Sequence, residues 1–112
     1  MDCLFCKIVE GQIPSQKMYE DDRIYVFEDI NPIAPVHILI IPKRHISTID
    51  EVQESDKDLL GHMIFTAKNL IKERGIAGGY RLVMNNGVSA GQSVFHLHLH
   101  ILAGRQFGWP PG

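Results

Sequence analysis

The sequence predicts an α+β fold: a five-stranded antiparallel sheet with one long helix on one face and a short N-terminal helix. Three observations lead there. Leu59, Leu60, Met63, Ile64, Ala67, Leu70 and Ile71 recur at the spacing of one helical face. Phe95 to Leu102, FHLHLHIL, alternates with the period of two that belongs to a strand. Short β-branched and aromatic runs elsewhere are set apart by turn formers. A length of 112 residues suits one domain over 1–112, enough for a single core and too short for two.

In chain order, Lys7 to Gly11 reads as a short helical turn stopped by glycine. Met18-Tyr19 and Ile24 to Phe27 form a hairpin around Glu20-Asp21-Asp22-Arg23. Asn31-Pro32-Ile33-Ala34-Pro35 breaks regular structure, and Ile38 to Ile41 is a third strand closed by Pro42. The long helix starts at Ser55 with Asp58 and stops at Gly75. Arg81 to Met84 is a fourth strand, Asn85 to Gln92 a polar loop, and residues 94–103 a fifth strand. The tail Trp109-Pro110-Pro111-Gly112 cannot be regular.

Composition narrows the function. Net charge is −2 and no run of like charges occurs, so neither a nucleic-acid surface nor an anionic membrane is an expected partner. The first residues lack the basic-then-apolar pattern of a secretory signal, and the longest apolar runs are far short of a membrane span. A cytoplasmic location is expected, where Cys3 and Cys6 would not form a structural disulfide.

His96, His98 and His100 would share one face of the last strand, and Leu97, Leu99 and Ile101 the other. The leucine face should pack on the long helix, leaving the imidazoles for chemistry. Histidines two apart lie roughly 6.6 Å apart along a strand, wide for one zinc with bonds of about 2.0–2.1 Å, so the three need not share a job. The loop Asn85 to Ser93 just before them is rich in glycine, asparagine and serine, able to turn N–H and O–H donors toward an anion. Neutral imidazole is a competent nucleophile at phosphorus near neutral pH. No Walker sequence and no magnesium-type carboxylate cluster is present. Metal-independent phosphoryl or nucleotidyl transfer therefore fits better than a kinase, and no catalytic metal is expected. Cys3-x-x-Cys6 has the spacing of half a zinc site, with a redox pair or two simple thiols as the other readings.

His96-Leu97-His98-Leu99-His100-Ile101-Leu102 resembles the His-φ-His-φ-His-φ-φ signature of the histidine triad (HIT) superfamily, φ being apolar. The likeness extends through Gly91-Gln92-Ser93-Val94, Gly104 to Gly112, Phe27 to Pro32, Ala34 to His37 and Ile41 to His45. Nearly the whole chain is similar to the Hint branch, the histidine triad nucleotide-binding proteins.

That resemblance implies a HIT-like fold and a purine nucleotide substrate. His98 would attack the α-phosphorus of a nucleoside phosphoramidate, an amine would leave, and water would release AMP or GMP from the nucleotidyl-histidine. His100 would hold the phosphate, with Ser93, Gly91 and Asn85 around it and His37 as a fourth histidine near the nucleophile. Asp29 would bind the ribose hydroxyls, and Phe5, Ile8, Phe27, Ile30 and Leu39 would enclose the base, although plain core packing accounts for these apolar positions equally well. In a zinc-bearing subset, the cysteine pair is completed by residues matching His45 and His96, which implies a structural zinc on Cys3, Cys6, His45 and His96. The family also implies a homodimer through the helix and fourth strand. A dinucleoside polyphosphate hydrolase of the same superfamily would use the same nucleophile, but the Gly104 to Gly112 tail favours Hint. A zinc-stabilised nucleotide-binding module without turnover, and a hydrolase with a catalytic metal on the histidines, are the rivals from other classes.

Overall fold

The computed structural model describes residues 2–112. A short helix α1 (Leu4–Val9) precedes the hairpin β1 (Lys17–Glu20) and β2 (Ile24–Glu28). Then follow β3 (Val36–Pro42), the long helix α2 (Lys57–Glu73), β4 (Tyr80–Val83) and β5 (Leu99–Ala103). The five strands form one antiparallel sheet, as the sequence predicts, and their order is β1-β2-β3-β5-β4.

Register sorts the side chains onto two faces. Val26, Ile40 and Leu99 lie in one row across β2, β3 and β5, and Ile38, Ile101 and Leu82 in the next, across β3, β5 and β4. These pack with Met63, Ala67, Leu70 and Ile71 of α2 in the main core. The intervening rows face the other way. Phe27, Leu39, His100 and Val83 form one, and His37, Leu102 and Arg81 the next. Phe5 and Ile8 of α1 cover the β2–β3 part of this second face, with Tyr25, Phe27, Leu39 and Ile41. The β5 side stays open, and there the imidazoles stand.

The short helix spans Leu4–Val9 rather than Lys7 to Gly11, and two further elements differ from the sequence expectation. The last strand begins at Leu99 rather than at 94. Its ladder pairs Ile40 with Leu99, so Leu97 would come next opposite Pro42, which has no N–H to give. The Leu97 N–H turns to Ile46 O instead, at 2.6 Å. The Pro42 carbonyl accepts from the His96 ring. Alternation nevertheless persists through the irregular stretch, and Leu97 reaches the α2 core as expected. Asp58 is the acid of the first turn of α2, but the capping box lies upstream, in a 3₁₀ turn over Glu54–Asp56, closed by the Gln53 N–H on Asp56 Oδ2 at 2.9 Å.

Candidate functional site

Two clefts meet on the open face. The first, about 300 Å³, is walled by Phe5, Ile8, Phe27, Leu39 and Ile30 with Asp29 and Ser93 at its end. Every residue proposed for a base pocket therefore borders one space. Phe5 and Phe27 meet edge to face, their ring centres 5.6 Å apart. The second, about 770 Å³, contains His37, His100 and Asn85 and shares Asp29, Asn31 and Ser93 with the first. The His98 ring packs against one lining residue of each cleft: its centre is 5.1 Å from that of Phe5 and 4.9 Å from that of His100.

Hydrogen bonds fix which nitrogen of each imidazole carries a proton. His98 Nδ1 lies 2.7 Å from the His96 carbonyl. A carbonyl only accepts, so Nδ1 holds the proton and Nε2 keeps a lone pair. His37 Nδ1 accepts the Ile33 N–H at 3.2 Å. The His37 proton is thus on Nε2, donated to His100 Nδ1 at 2.9 Å, with Asp29 Oδ2 also near at 3.4 Å. His100, accepting at Nδ1, carries its own proton on Nε2. Burial holds His37 below the ordinary histidine range against the opposing pull of Asp29. Burial, followed by His98 and His37, pushes His100 down to about 4. Both are neutral at pH 7, as the hydrogen-bond chain requires. The site thus places an imidazole lone pair beside a neutral N–H donor.

Asp29 is anchored by the Asn31 N–H on Oδ1 at 2.8 Å. The loop before the histidines is built inward. Gly91, at φ +98°, ends a 3₁₀ turn over Val88–Ala90 and gives its N–H to Val88 O at 3.0 Å. That N–H is spent within the loop, so Gly91 shapes the turn rather than aiming its own donor at an anion. Gln92 was not singled out from sequence. Its buried amide accepts from Gly87 N–H and donates to Ser47 O and Val94 O, pinning the loop. A polar residue between Gly91 and the triad carries no pattern that would have flagged it.

Cys3, Cys6, His45 and His96 converge on a second centre, their ligand atoms all within 4.8 Å of one another. His96, fully buried, donates from Nε2 to Pro42 O at 2.8 Å. Its Nδ1 lone pair therefore faces the cluster, the tautomer a metal needs. Tetrahedral zinc bonds put sulfur and nitrogen about 3.5 Å apart, and two nitrogens about 3.3 Å apart. The distances are 3.4 Å (Cys3–His96), 3.5 Å (Cys6–His45), 3.6 Å (Cys6–His96) and 3.2 Å between the two Nδ1 atoms. The donor set and its spacing fit a Cys₂His₂ zinc. Burial and then Cys3 push the Cys6 thiol up to about 11; a cation would have to displace its proton.

His62 on α2 holds Asp21 of the hairpin turn at 2.7 Å. Burial would raise the Asp21 pKa, but N–H bonds from Arg23 and Ile24 and the contacts of His62 and Tyr19 carry it below the usual carboxylate range. Among the described residues no helix is long and apolar enough to cross a membrane.

The sheet and its paired clefts define a histidine-lined site on an α+β domain, one cleft mostly apolar and the other carrying the imidazoles. Similarity to known proteins makes the assignment specific: the chain belongs to the histidine triad (HIT) family. The family model described as scavenger mRNA decapping enzyme C-terminal binding matches residues 2–107. A HIT-like protein of Synechocystis is 50% identical over 99% of this chain and 97% of its own. The crystal structure of a HIT family hydrolase from Legionella pneumophila is 51% identical, with a TM-score of 0.95 over 99% of this chain and all of that one. A histidine triad nucleotide-binding protein from Candida albicans is 38% identical, with a TM-score of 0.82 over 97% of this chain and 83% of that one.

Proposed function

We propose that the protein is a purine nucleoside phosphoramidase of the Hint branch, releasing a nucleoside monophosphate through a nucleotidyl-His98 intermediate. The observation that carries this reading is the His98 Nδ1 to His96 carbonyl bond. It leaves Nε2 unprotonated on a ring that packs between Phe5 of the apolar cleft and His100 of the polar one. The base occupies the first cleft, the ribose hydroxyls bind Asp29, and the α-phosphate sits between His98 and His100.

His98 Nε2 forms a bond to phosphorus as the P–N bond breaks, and the amine leaves with that electron pair and takes up a proton from solvent water. The imidazolium formed shares its charge with the Nδ1–H, which the His96 carbonyl stabilises by a charge-assisted bond of about 1.5–3 kcal/mol. His100 Nε2–H, with Ser93 and Asn85 nearby, donates to the phosphoryl oxygens as charge builds, a type of contact typically worth about 3–4 kcal/mol. Water then breaks the P–Nε2 bond and regenerates neutral His98. Names among the relatives, a HIT family hydrolase and a nucleotide-binding protein, support hydrolysis of a nucleotide bond.

Cys3, Cys6, His45 and His96 would hold a structural zinc, which supplies a cross-link between α1 and the sheet. The protein would work as a homodimer: β4 is an edge strand, and Ile64 and Phe65 of α2 and Tyr80 of β4 are exposed apolar groups.

Rapid-quench reaction with adenosine phosphoramidate, followed by mass mapping, tests the chemistry. A nucleotidyl adduct on the peptide bearing His98 is expected. His98→Asn should lower turnover at least about 10³-fold while keeping AMP affinity. Near-normal turnover in that variant would falsify the nucleophile assignment.

A further inference from the structure

We propose that the far end of the second cleft is an anion subsite for the leaving group, formed by Arg81 and Arg105 around Phe107. It rests on the reading above that the α-phosphorus sits at His98, and it narrows the substrate to a nucleotide whose leaving group carries a negative charge.

Register places the subsite. Arg81 pairs with Leu102 and Val83 with His100, so Arg81 lies on the imidazole face, one row beyond the phosphate-binding histidine on the neighbouring strand. Arg105 comes back over the same end because the chain turns at Gly104. There φ is +92°, and an added Cβ would lie 2.8 Å from Pro35. The two guanidinium groups stand over the Phe107 ring, at 5.2 Å and 4.3 Å from its centre. All three line the cleft that contains His100, Ser93 and Asn85, and none lines the base cleft.

Among the described residues neither arginine is in an ion pair. Each is steered by main-chain carbonyls alone: Arg81 Nη2 donates to Gly108 O at 2.7 Å, and Arg105 donates to Ile33 O and Gln106 O at 3.2 and 3.0 Å. Carbonyl anchoring fixes a guanidinium without neutralising it, and leaves N–H groups of each fork for a further acceptor. Of the other acidic groups along the cleft, Asp29 is occupied by Asn31 N–H and His37 and borders the base cleft, and the carboxylate of Gly112 forms no ion pair with either arginine. Two unneutralised arginines beside a phosphate site recognise a carboxylate or a further phosphate bidentately. The anion would be either the α-carboxylate of an amino acid linked through its nitrogen or the terminal phosphate of a nucleoside diphosphate.

Equilibrium binding to the full-length His98→Asn protein reads the subsite without turnover. The probes are the adenosine 5′-phosphoramidates of glycine and of glycinamide, together with AMP and ADP. Glycine should bind about tenfold more tightly than glycinamide, the size of one charge-assisted bond at a partly exposed site. That ratio should fall toward one in Arg81→Gln and Arg105→Gln, each compared within the same variant so that any general loss cancels. A larger gain from AMP to ADP than from glycinamide to glycine would assign the anion to a phosphate; the reverse assigns it to a carboxylate. Equal binding in both pairs, or a preference that survives in both arginine variants, overturns the subsite. Wild-type turnover of the glycine and glycinamide compounds is measured alongside. Anion preference without any P–N cleavage would overturn the phosphoramidase reading and leave the subsite standing.

Discussion

A histidine offers two nitrogens, and the proton's position decides whether each one attacks, donates or ligates. Here three main-chain groups make that choice. The His96 carbonyl fixes His98, the Pro42 carbonyl fixes His96, and the Ile33 N–H fixes His37 and through it His100. Removing His37 should therefore act at a distance from phosphorus. In His37→Ala, His100 Nδ1 loses its donor and the neutral ring is free to move its proton there, withdrawing the Nε2–H from the phosphate. We expect kcat for adenosine phosphoramidate to fall about 10²-fold, the scale of one lost transition-state donor, with a smaller change in KM. Nitrogen-15 NMR should show His100 shifting from its Nε2–H form; an unshifted tautomer alongside unchanged kcat would remove His37 from the mechanism. The alternation of imidazole and leucine was readable from the sequence because period two is a local property. The proton positions were not, because the groups that set them for His96 and His37 come from Pro42 and Ile33, brought close only by folding.

At the scale of elements, α1 owes its stability to tertiary contacts rather than to its own helical propensity. Six residues are too few for a stable isolated helix. It is held to the sheet by Phe5 and Ile8 on one side and by the cysteine–histidine cluster on the other. The same Phe5 and Ile8 wall the apolar cleft. If that cleft takes the base as proposed, loss of the cluster's thiols should appear as loss of nucleotide binding. Cys3→Ser with Cys6→Ser is expected to abolish zinc retention, lower Tm, and weaken AMP binding about tenfold, as two cleft walls lose their anchor. Zinc analysis with calorimetric AMP titration checks this; full AMP affinity in a zinc-free double variant would show that packing alone seats α1. The cysteine spacing announced half of this cluster, and family likeness supplied His45 and His96. Strand limits were harder to foresee. Nothing in FHLHLHIL shows that its first half leaves the ladder, because the cause is Pro42 on another strand. The capping box at Gln53 and Asp56 was likewise hidden, since Ser55 and Asp58 offered the same signal two residues later.

Across the whole molecule, the sheet buries one face on a helix and spends the other on imidazoles kept neutral. His37, His96 and His100 all titrate below the ordinary histidine range, first of all because burial disfavours the imidazolium. In the unfolded chain the same groups titrate near about 6.5. Between that value and the folded one, which for His100 is about 4, the unfolded state binds more protons. Acidification through this window therefore favours unfolding. Their contribution to stability is complete above the unfolded value and lost as pH falls toward the folded ones. Asp21, whose folded pKa is lowered, acts in the same direction at lower pH: its stabilisation is present above about 3.9 and lost below. Urea midpoints at saturating zinc should accordingly decline from pH 7 to pH 5, before the carboxylates titrate. His100→Asn cannot take up a proton there, so its midpoint should decline less steeply than that of the wild type. An identical slope in the two proteins would mean that His100 is as free to protonate when folded as when unfolded. The neutral donor chain from Ile33 through His37 to the phosphate site would then not hold.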